Sequence, residues 1–182
     1  MSQLQAIPTY RELEKDIYGT WYEHLLRLGP TSRYMRFGHA VSDDFLRDYA
    51  RSMDRHNIVA YGAFVDGALR AVAELRRISD LCPLDGEIGL TVEDDWQDTG
   101  IGTDLLFHVQ AAARQRGVET IYMICSRKNY RMRSVAQKVH ARVKPLPNQI
   151  FGWEEDHQQG NPNSPTVQSI QYSDLVTFSL DL

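Results

Sequence analysis

Gly86-Glu87-Ile88-Gly89-Leu90-Thr91-Val92-Glu93 and, after Asp94-Asp95-Trp96, Gln97-Asp98-Thr99-Gly100-Ile101-Gly102 decide how this chain folds. In the first stretch Ile88, Leu90 and Val92 alternate with Glu87, Gly89 and Thr91, the period of two that marks a strand. After the second, Leu105, Leu106, Val109, Ala112 and Ala113 recur at helical spacing, and Gly117 stands where a C-terminal cap belongs. A strand therefore runs into a glycine turn, and the turn opens a helix. The first amides of such a helix have no partner within it, and its dipole adds positive potential there. Gly100 and Gly102 present no side chain to hold an anion off, so the turn reads as a pyrophosphate seat. A dinucleotide fingerprint would need a third glycine after Thr103-Asp104, and a P-loop would need Gly-Lys-Ser/Thr; neither is present.

The chain has 182 residues, a formal net charge of -4 and two cysteines. That length suits one domain over residues 1–182, with room for a core. The charge offers no general attraction for nucleic acid or an anionic membrane. Cys82 beside Pro83 and Cys125 at the end of an apolar strand make no disulfide framework, Cys125 reading as a buried thiol. The histidines (His24, His39, His56, His108, His140, His157) lack metal-ligand spacing, so no metal is expected. No apolar run reaches a membrane span, and Met1 to Gln5 lacks a signal-peptide start, which makes a soluble cytoplasmic protein the expectation.

Along the chain, Leu13, Ile17, Trp21, Leu25 and Leu28 predict an amphipathic helix over 11–28, closed by Gly29-Pro30. Leu28 to Phe37 reads as a loop rich in aromatic and arginine side chains. Ser42 caps a second helix with Asp43 and Asp44 in its first turn and Phe45, Tyr49 and Met53 on its buried side. Ile58 to Val65, Asp66-Gly67 and Leu69 to Leu75 form a β-hairpin with a type I′ turn, so three antiparallel strands precede the glycine turn. Thr120 to Cys125 is the next strand; reached through a crossover helix, it pairs in parallel. Arg127 to His140 is a helix with Met132, Val135, Ala136 and Val139 on one face, and Val176, Phe178 and Leu180 alternate as a last strand. Residues 152–168 are a lid, an acceptor-binding element or a disordered loop. The fold class is α/β: a mixed sheet flanked by helices, with the phosphate turn at the carboxyl end of a strand.

Gln97-x-x-Gly100-x-Gly102 resembles motif A of the GNAT superfamily of N-acetyltransferases, Gln/Arg-x-x-Gly-x-Gly/Ala, which holds the pyrophosphate of acetyl-CoA. Leu28-Gly29-Pro30-Thr31-Ser32-Arg33-Tyr34-Met35-Arg36-Phe37 is similar to the Leu-Ser-Pro-Glu-Ser-x-Tyr-x-Arg-Phe segment in the GNAT domains of bacterial protein lysine acetyltransferases. Pro30, Ser32, Tyr34, Arg36 and Phe37 keep their places, while Gly29 and Thr31 differ; on this resemblance the segment walls the acceptor side of the cleft. The bland alternative is a structural loop that stacks Arg36 on its neighbours. Asn129 and Met132 resemble the Asn-x-x-Met/Ala helix that steadies the pantetheine arm. The resemblance runs from Gly29 to His140 and implies a GNAT-type domain with acetyl-CoA as cosubstrate. The acceptor it implies is an amine: a protein lysine first, a small amine second. The cofactor contacts it implies are Leu90, Thr91, Val92, Gln97, Asp98, Thr99, Gly100, Ile101, Gly102, Thr103, Asn129 and Met132, with a backbone amide near Thr91 and Val92 as oxyanion donor.

Three departures stand out. Asp98-Thr99 replaces the usual Gly-Arg or Gly-Lys, and a carboxylate beside a pyrophosphate costs affinity. Arg127, Lys128, Arg131 and Arg133 either offset it by meeting the cofactor's phosphates or form a solvated helix face. His140-Ala141 replaces a glycine-aromatic end, and Ala136 and Gln137 stand where a tyrosine acid is common, leaving Tyr130 as the substitute or an exposed helix residue.

Acetyl transfer to an amine needs a base, because aliphatic amines are protonated near neutral pH. Glu87 is the candidate. It lies on the strand feeding the turn, ten residues before Gln97, the spacing found in the similar lysine acetyltransferases. The alternative is an edge glutamate paired with Arg70 or Arg76 across the hairpin. No cysteine has a histidine near it in sequence, and Ser126 lacks a nucleophile elbow's glycines. The rival function is a non-catalytic acyl-CoA-binding sensor. An exposed sheet edge also allows a homodimer.

Overall fold

The computed structural model describes residues 7–14, 17–52, 57–78, 82–145 and 174–182. Seven strands form one sheet in the order β1-β2-β3-β4-β5-β7-β6. They are β1 (Thr9–Glu12), β2 (Asn57–Val65), β3 (Ala68–Arg77), β4 (Asp85–Val92), β5 (Thr120–Ser126), β6 (Arg142–Lys144) and β7 (Leu175–Asp181). Among the described residues only β4 and β5 pair in parallel, as the crossover requires, so the sheet is mixed. The β2-β3 hairpin turns on Asp66 (φ 50°) and Gly67 (φ 77°), the two left-handed residues of a type I′ turn.

Among the described residues five α-helices flank the sheet: α1 (Tyr18–Leu26), α2 (Pro30–Phe37), α3 (Asp43–Arg51), α4 (Ile101–Gln115) and α5 (Tyr130–Lys138). Two apolar clusters sit on the sheet. Leu105, Leu106 and Val109 of α4 lie in one with Val59, Leu75 and Ile121, while Trp21, Leu25 and Leu46 of α1 and α3 lie in the other with Leu69 and Val72. Among the described residues no helix is long and apolar enough to cross a membrane.

Four expectations change. The helix expected over 11–28 is β1 followed by α1; Leu13 continues the helical spacing only by coincidence, since it leaves a strand and its amide bonds Ala60 of β2 (2.8 Å). The strand found near the start is thus Thr9–Glu12. The expected loop Leu28–Phe37 is mostly α2, with Pro30 at its first position and Gly38 (φ 77°) closing it in the left-handed conformation. In α3, Leu46 and Ala50 are the fully buried residues; Phe45 and Tyr49 are half-buried, and Met53 lies outside the described residues. The helix expected over 127–140 is α5, shorter at both ends. Ser42 caps α3 as expected, its hydroxyl accepting from the Phe45 amide (3.2 Å). Residues 152–168 lie outside the described residues.

The β4-β5 ladder places the site. It consists of Asp85↔Thr120, Gly86↔Ile121 and Glu87↔Tyr122 and stops there. Beyond it β5 continues to pair with β7 as far as Ser126, while β4 continues against β3 as far as Val92. From Ile88 onward the two central strands part, and a cleft opens between them.

Candidate active site

One wall of the cleft is β4, with Glu87, Gly89, Leu90 and Val92. The facing wall is the end of β5 and the start of α5, with Ile124, Cys125, Asn129 and Met132. Ser32, Met35 and Arg36 of α2 and, tied to them, Gln97, Asp98, Gly100, Gly102 and Thr103 of the glycine turn complete the lining.

In the glycine turn the amides of Thr103 and Asp104 both donate to the Gly100 carbonyl (2.9 and 3.1 Å). Among the described residues no backbone carbonyl takes up the amides of Gly100, Ile101 or Gly102, which stay available at the start of α4. The two glycines serve different ends. A Cβ at Gly100 would meet nothing within 4 Å, so glycine is needed there for its left-handed backbone (φ 97°). A Cβ at Gly102 would press on Leu90 Cδ2 at 3.2 Å, so that glycine lets α4 lie close on β4.

Residues 17–141 match the acetyltransferase (GNAT) family. The chain belongs to that family. A 115-residue stretch is 31% identical to an acetyltransferase of Pseudomonas aeruginosa, PA5475, spanning 60% of this chain and 61% of that relative, so the match spans about three fifths of the relative's length. The fold resembles the GNAT domain of S. lividans PAT, with a TM-score of 0.70 at 19% identity over 95% of this chain and 89% of that one. It also resembles yncA, a Salmonella typhimurium protein described as an acetyltransferase and solved with acetyl-CoA (TM-score 0.66, 15% identity, 97% and 94% covered).

Within this GNAT cleft Glu87 makes no hydrogen bond to any described residue. Both arginines that offered a partner are engaged elsewhere: Arg70 with Glu93 (2.9 Å) and Arg76, directly across the ladder, with Glu74 (3.1 Å). Burial pushes the Glu87 carboxyl above its ordinary range, against the pull of the Arg36 and Arg76 charges and with a further push from Glu74. A carboxyl raised in this way is better matched to proton transfer near neutral pH.

The far end of β4 is held by a buried network. Glu93 accepts from Arg27 Nε (2.8 Å) and Arg70, and from His24 Nδ1 (3.2 Å). Burial keeps His24 neutral despite Glu93 beside it, so Nδ1–H donates to Glu93 and Nε2 accepts the Thr91 hydroxyl (2.9 Å). Thr91 therefore turns its side chain away from the cleft, as do Thr99, whose hydroxyl donates to the Trp96 carbonyl (2.7 Å), and Ile101, which is buried in the core. Of the expected contacts these three offer the cleft only backbone.

Gln97 lines the cleft and is also bound to its walls. Its amide donates to the Val92 carbonyl and the Ser32 hydroxyl (both 2.9 Å), tying the turn to α2. Asp94 reinforces the tie by accepting from the Gly29 amide (2.7 Å) and the Ser32 hydroxyl (2.6 Å). Asn129 caps α5, its Oδ1 accepting from the Met132 amide (3.0 Å), which leaves its NH2 group for the cleft.

The basic cluster divides. Arg131 lines the cleft, whereas Arg127 and Arg133 line a separate hollow with Val143 and Phe178. Tyr130 is 62% exposed, the bland reading of that residue. Cys125 is a buried thiol pushed up to about 11 by burial, with Arg133 opposing, and so is a poor nucleophile. Arg36 was expected only as part of the acceptor wall, and Gly89 not as a site residue. The signal was present, since a glycine inside a strand marks a close approach, here the Arg36 guanidinium, whose carbon would lie 2.7 Å from a Gly89 Cβ. Among the described residues no group of three or more His, Cys, Asp or Glu could hold a metal ion.

Proposed function

We propose that this protein is an N-acetyltransferase that moves the acetyl group of acetyl-CoA onto a primary amine by direct attack, with Glu87 as general base. The observation that carries the reading is the parting of β4 and β5 beside Glu87, with the free amides of Gly100 to Gly102 bordering the same cleft. These amides suit a pyrophosphate, and the unpaired edge of β4 beyond Glu87 suits an extended arm carrying a thioester. Leu90, Val92, Gln97, Asp98, Gly100, Gly102, Thr103, Asn129 and Met132 are the side chains or backbone that would meet the cofactor, with Thr91, Thr99 and Ile101 contributing backbone alone.

Glu87, directly or through a water, takes the proton that leaves the amine. The amine nitrogen bonds to the carbonyl carbon, a β4 amide near Thr91 and Val92 steadies the oxygen, and the carbon–sulfur bond breaks. A thiol of ordinary pKa, about 8.5, leaves as thiolate and takes up a proton afterwards, so a dedicated acid is not essential. The neutral, buried Cys125 favours this direct route over a thioester on the enzyme.

The α2 segment lines the acceptor end, and its likeness to protein lysine acetyltransferases makes a protein lysine the first acceptor class, a small amine the second. One observation favours a non-catalytic acyl-CoA-binding module: Asp98 sets a carboxylate on the phosphate turn. The test is release of free CoA from acetyl-CoA, followed with a thiol reagent, against lysine peptides and small primary amines. Acceptor-dependent release supports the enzyme. Binding of acetyl-CoA without release on any acceptor supports the module, and no binding removes both.

A further inference from the structure

Glu74 and Gly89 are partners across the β3-β4 ladder, as are Arg76 and Glu87, so these two pairs share one face of the sheet. That face is covered by α2 and α3. Arg36 reaches down from α2 and lays its guanidinium over the bare backbone of Gly89, one step along the strand face from Glu87. There its Nη2 donates to Glu74 Oε1 (2.7 Å) and to the Tyr49 hydroxyl (2.5 Å), and Tyr49 in turn donates to Glu74. Arg76 Nε bonds the other oxygen of Glu74 (3.1 Å). Glu74 is 2% exposed.

A bidentate glutamate, a tyrosine and two arginines are a costly arrangement to bury merely to hold a helix on a sheet. Glu74 is already matched by Arg76. The second arginine, placed on the one strand position without a side chain, adds a positive charge whose nearest uncompensated carboxylate is Glu87. We propose that Arg36 is a positioning residue for Glu87, clamped by Glu74 and Tyr49 over Gly89 so that a fixed cation stands beside the base and the acceptor wall is locked to β4. The consequence for turnover rests on Glu87 being the base; the coupling between Arg36 and Glu87 does not.

The charged and titratable groups facing Glu87 are Arg36 from α2, Arg76 and Glu74 from β3, and Tyr49 from α3, acting through Glu74. Tyr122 of β5 is its register partner, but that phenol is shifted by burial and by Asp85, Cys82 and Asp181. Glu87 is pushed up by burial while Arg36 and Arg76 pull it down and Glu74 pushes it up. Removing the cation or displacing it therefore moves the Glu87 titration to higher pH. Neutralising Glu74 moves it to lower pH. A cluster that served packing alone would give no such opposite pair.

The test is the carboxyl titration of Glu87, followed by carbon NMR in protein labelled at glutamate side chains, with Glu87→Gln to assign the signal. Arg36→Gln is expected to raise the midpoint by about one pH unit and Glu74→Gln to lower it. Gly89→Ala retains every charged group but forces the guanidinium off its seat, and is expected to raise the midpoint as Arg36→Gln does; it serves where Arg36→Gln does not melt cooperatively. The acid limb of kcat/KM should move with each midpoint. An unmoved midpoint in both Arg36→Gln and Gly89→Ala, or movement in the same direction in Glu74→Gln, overturns the inference. Midpoints that move while the acid limb stays fixed leave the coupling standing and remove Glu87 as the base.

Discussion

Arg131 of α5 reaches Asp98 of the glycine turn at 3.0 Å, so the two sides of the cleft are bridged by an ion pair. Asp98 holds a left-handed backbone (φ 61°), a conformation aspartate tolerates better than most residues. The carboxylate that the sequence sets against a phosphate is thus turned toward a cation across the cleft. Both side chains are partly exposed, so the pair is a weak one.

Under the proposed function, acetyl-CoA binding would exchange one partner of Arg131 for another. Asp98→Asn keeps the left-handed backbone and removes the competing charge; it should tighten acetyl-CoA a few-fold, roughly 0.5–1 kcal/mol. Arg131→Ala should loosen it by a similar factor. Calorimetric titration at low and high salt checks both, and the difference between variants should shrink as salt rises.

The glycines separate in the same assay. Gly100→Ala meets no atom within 4 Å but must hold φ 97°, so it should cost stability, about 1–2 kcal/mol, with acetyl-CoA affinity changed only a few-fold. Gly102→Val drives a branched side chain into Leu90 and Val92 and pushes α4 off β4. It should lose at least tenfold in affinity. Thermal melts paired with calorimetry report the order.

The strand, turn and helix from Asp85 to Gln115 were legible because three independent signals agreed: the period of two, the glycine pair and the period of 3.6. The hairpin was equally plain in Asp66-Gly67. What failed was local. Leu13 falls on the helical spacing of Ile17, Trp21 and Leu25 although it leaves a strand, and periodicity alone cannot tell a coincidence from a turn of helix. The α2 helix has no long apolar stripe, and its two signals, Pro30 at the start and Gly38 after the end, lie at the limits of a segment read as loop. Within the site, side-chain directions were not legible in the sequence. Whether Gln97 faces the cleft or α2 depends on Ser32, Asp94 and Val92, and no spacing rule in one segment encodes a partner 65 residues away.

Acid should unlock the buried anchors. Burial pushes Glu93 up, but hydrogen bonds from His24, Arg27 and Arg70 outweigh it and hold the carboxyl below its ordinary value; Glu74 is likewise held down by Arg76, Arg36 and Tyr49 against its own burial. A lowered carboxyl contributes stability that is present above the unfolded value, about 4.3, and lost as pH falls through the folded one. Urea melts should therefore show stability falling below about pH 4. Glu93→Gln should lose about 3 kcal/mol at pH 7 and flatten that acid dependence.

Glu87 carries the opposite sign. Its carboxyl is raised in the fold, so the folded state prefers it protonated, and ionising it as pH rises costs stability. Glu87→Gln should be more stable than the wild type at pH 7, with a melting temperature higher by roughly 2–4 °C for each ~1 kcal/mol released. The gain should vanish at low pH, where wild-type Glu87 is protonated too.

The most direct measurement joins binding and turnover in that same variant. Acetyl-CoA is titrated calorimetrically into wild type and Glu87→Gln, and acetyl transfer to the best acceptor is followed with both. The account predicts affinities within a factor of a few, because Glu87 is not among the proposed cofactor contacts, and a kcat at least about a hundredfold lower in the variant. Equal turnover with equal binding would contradict it, since the proton would then be taken by a group other than Glu87.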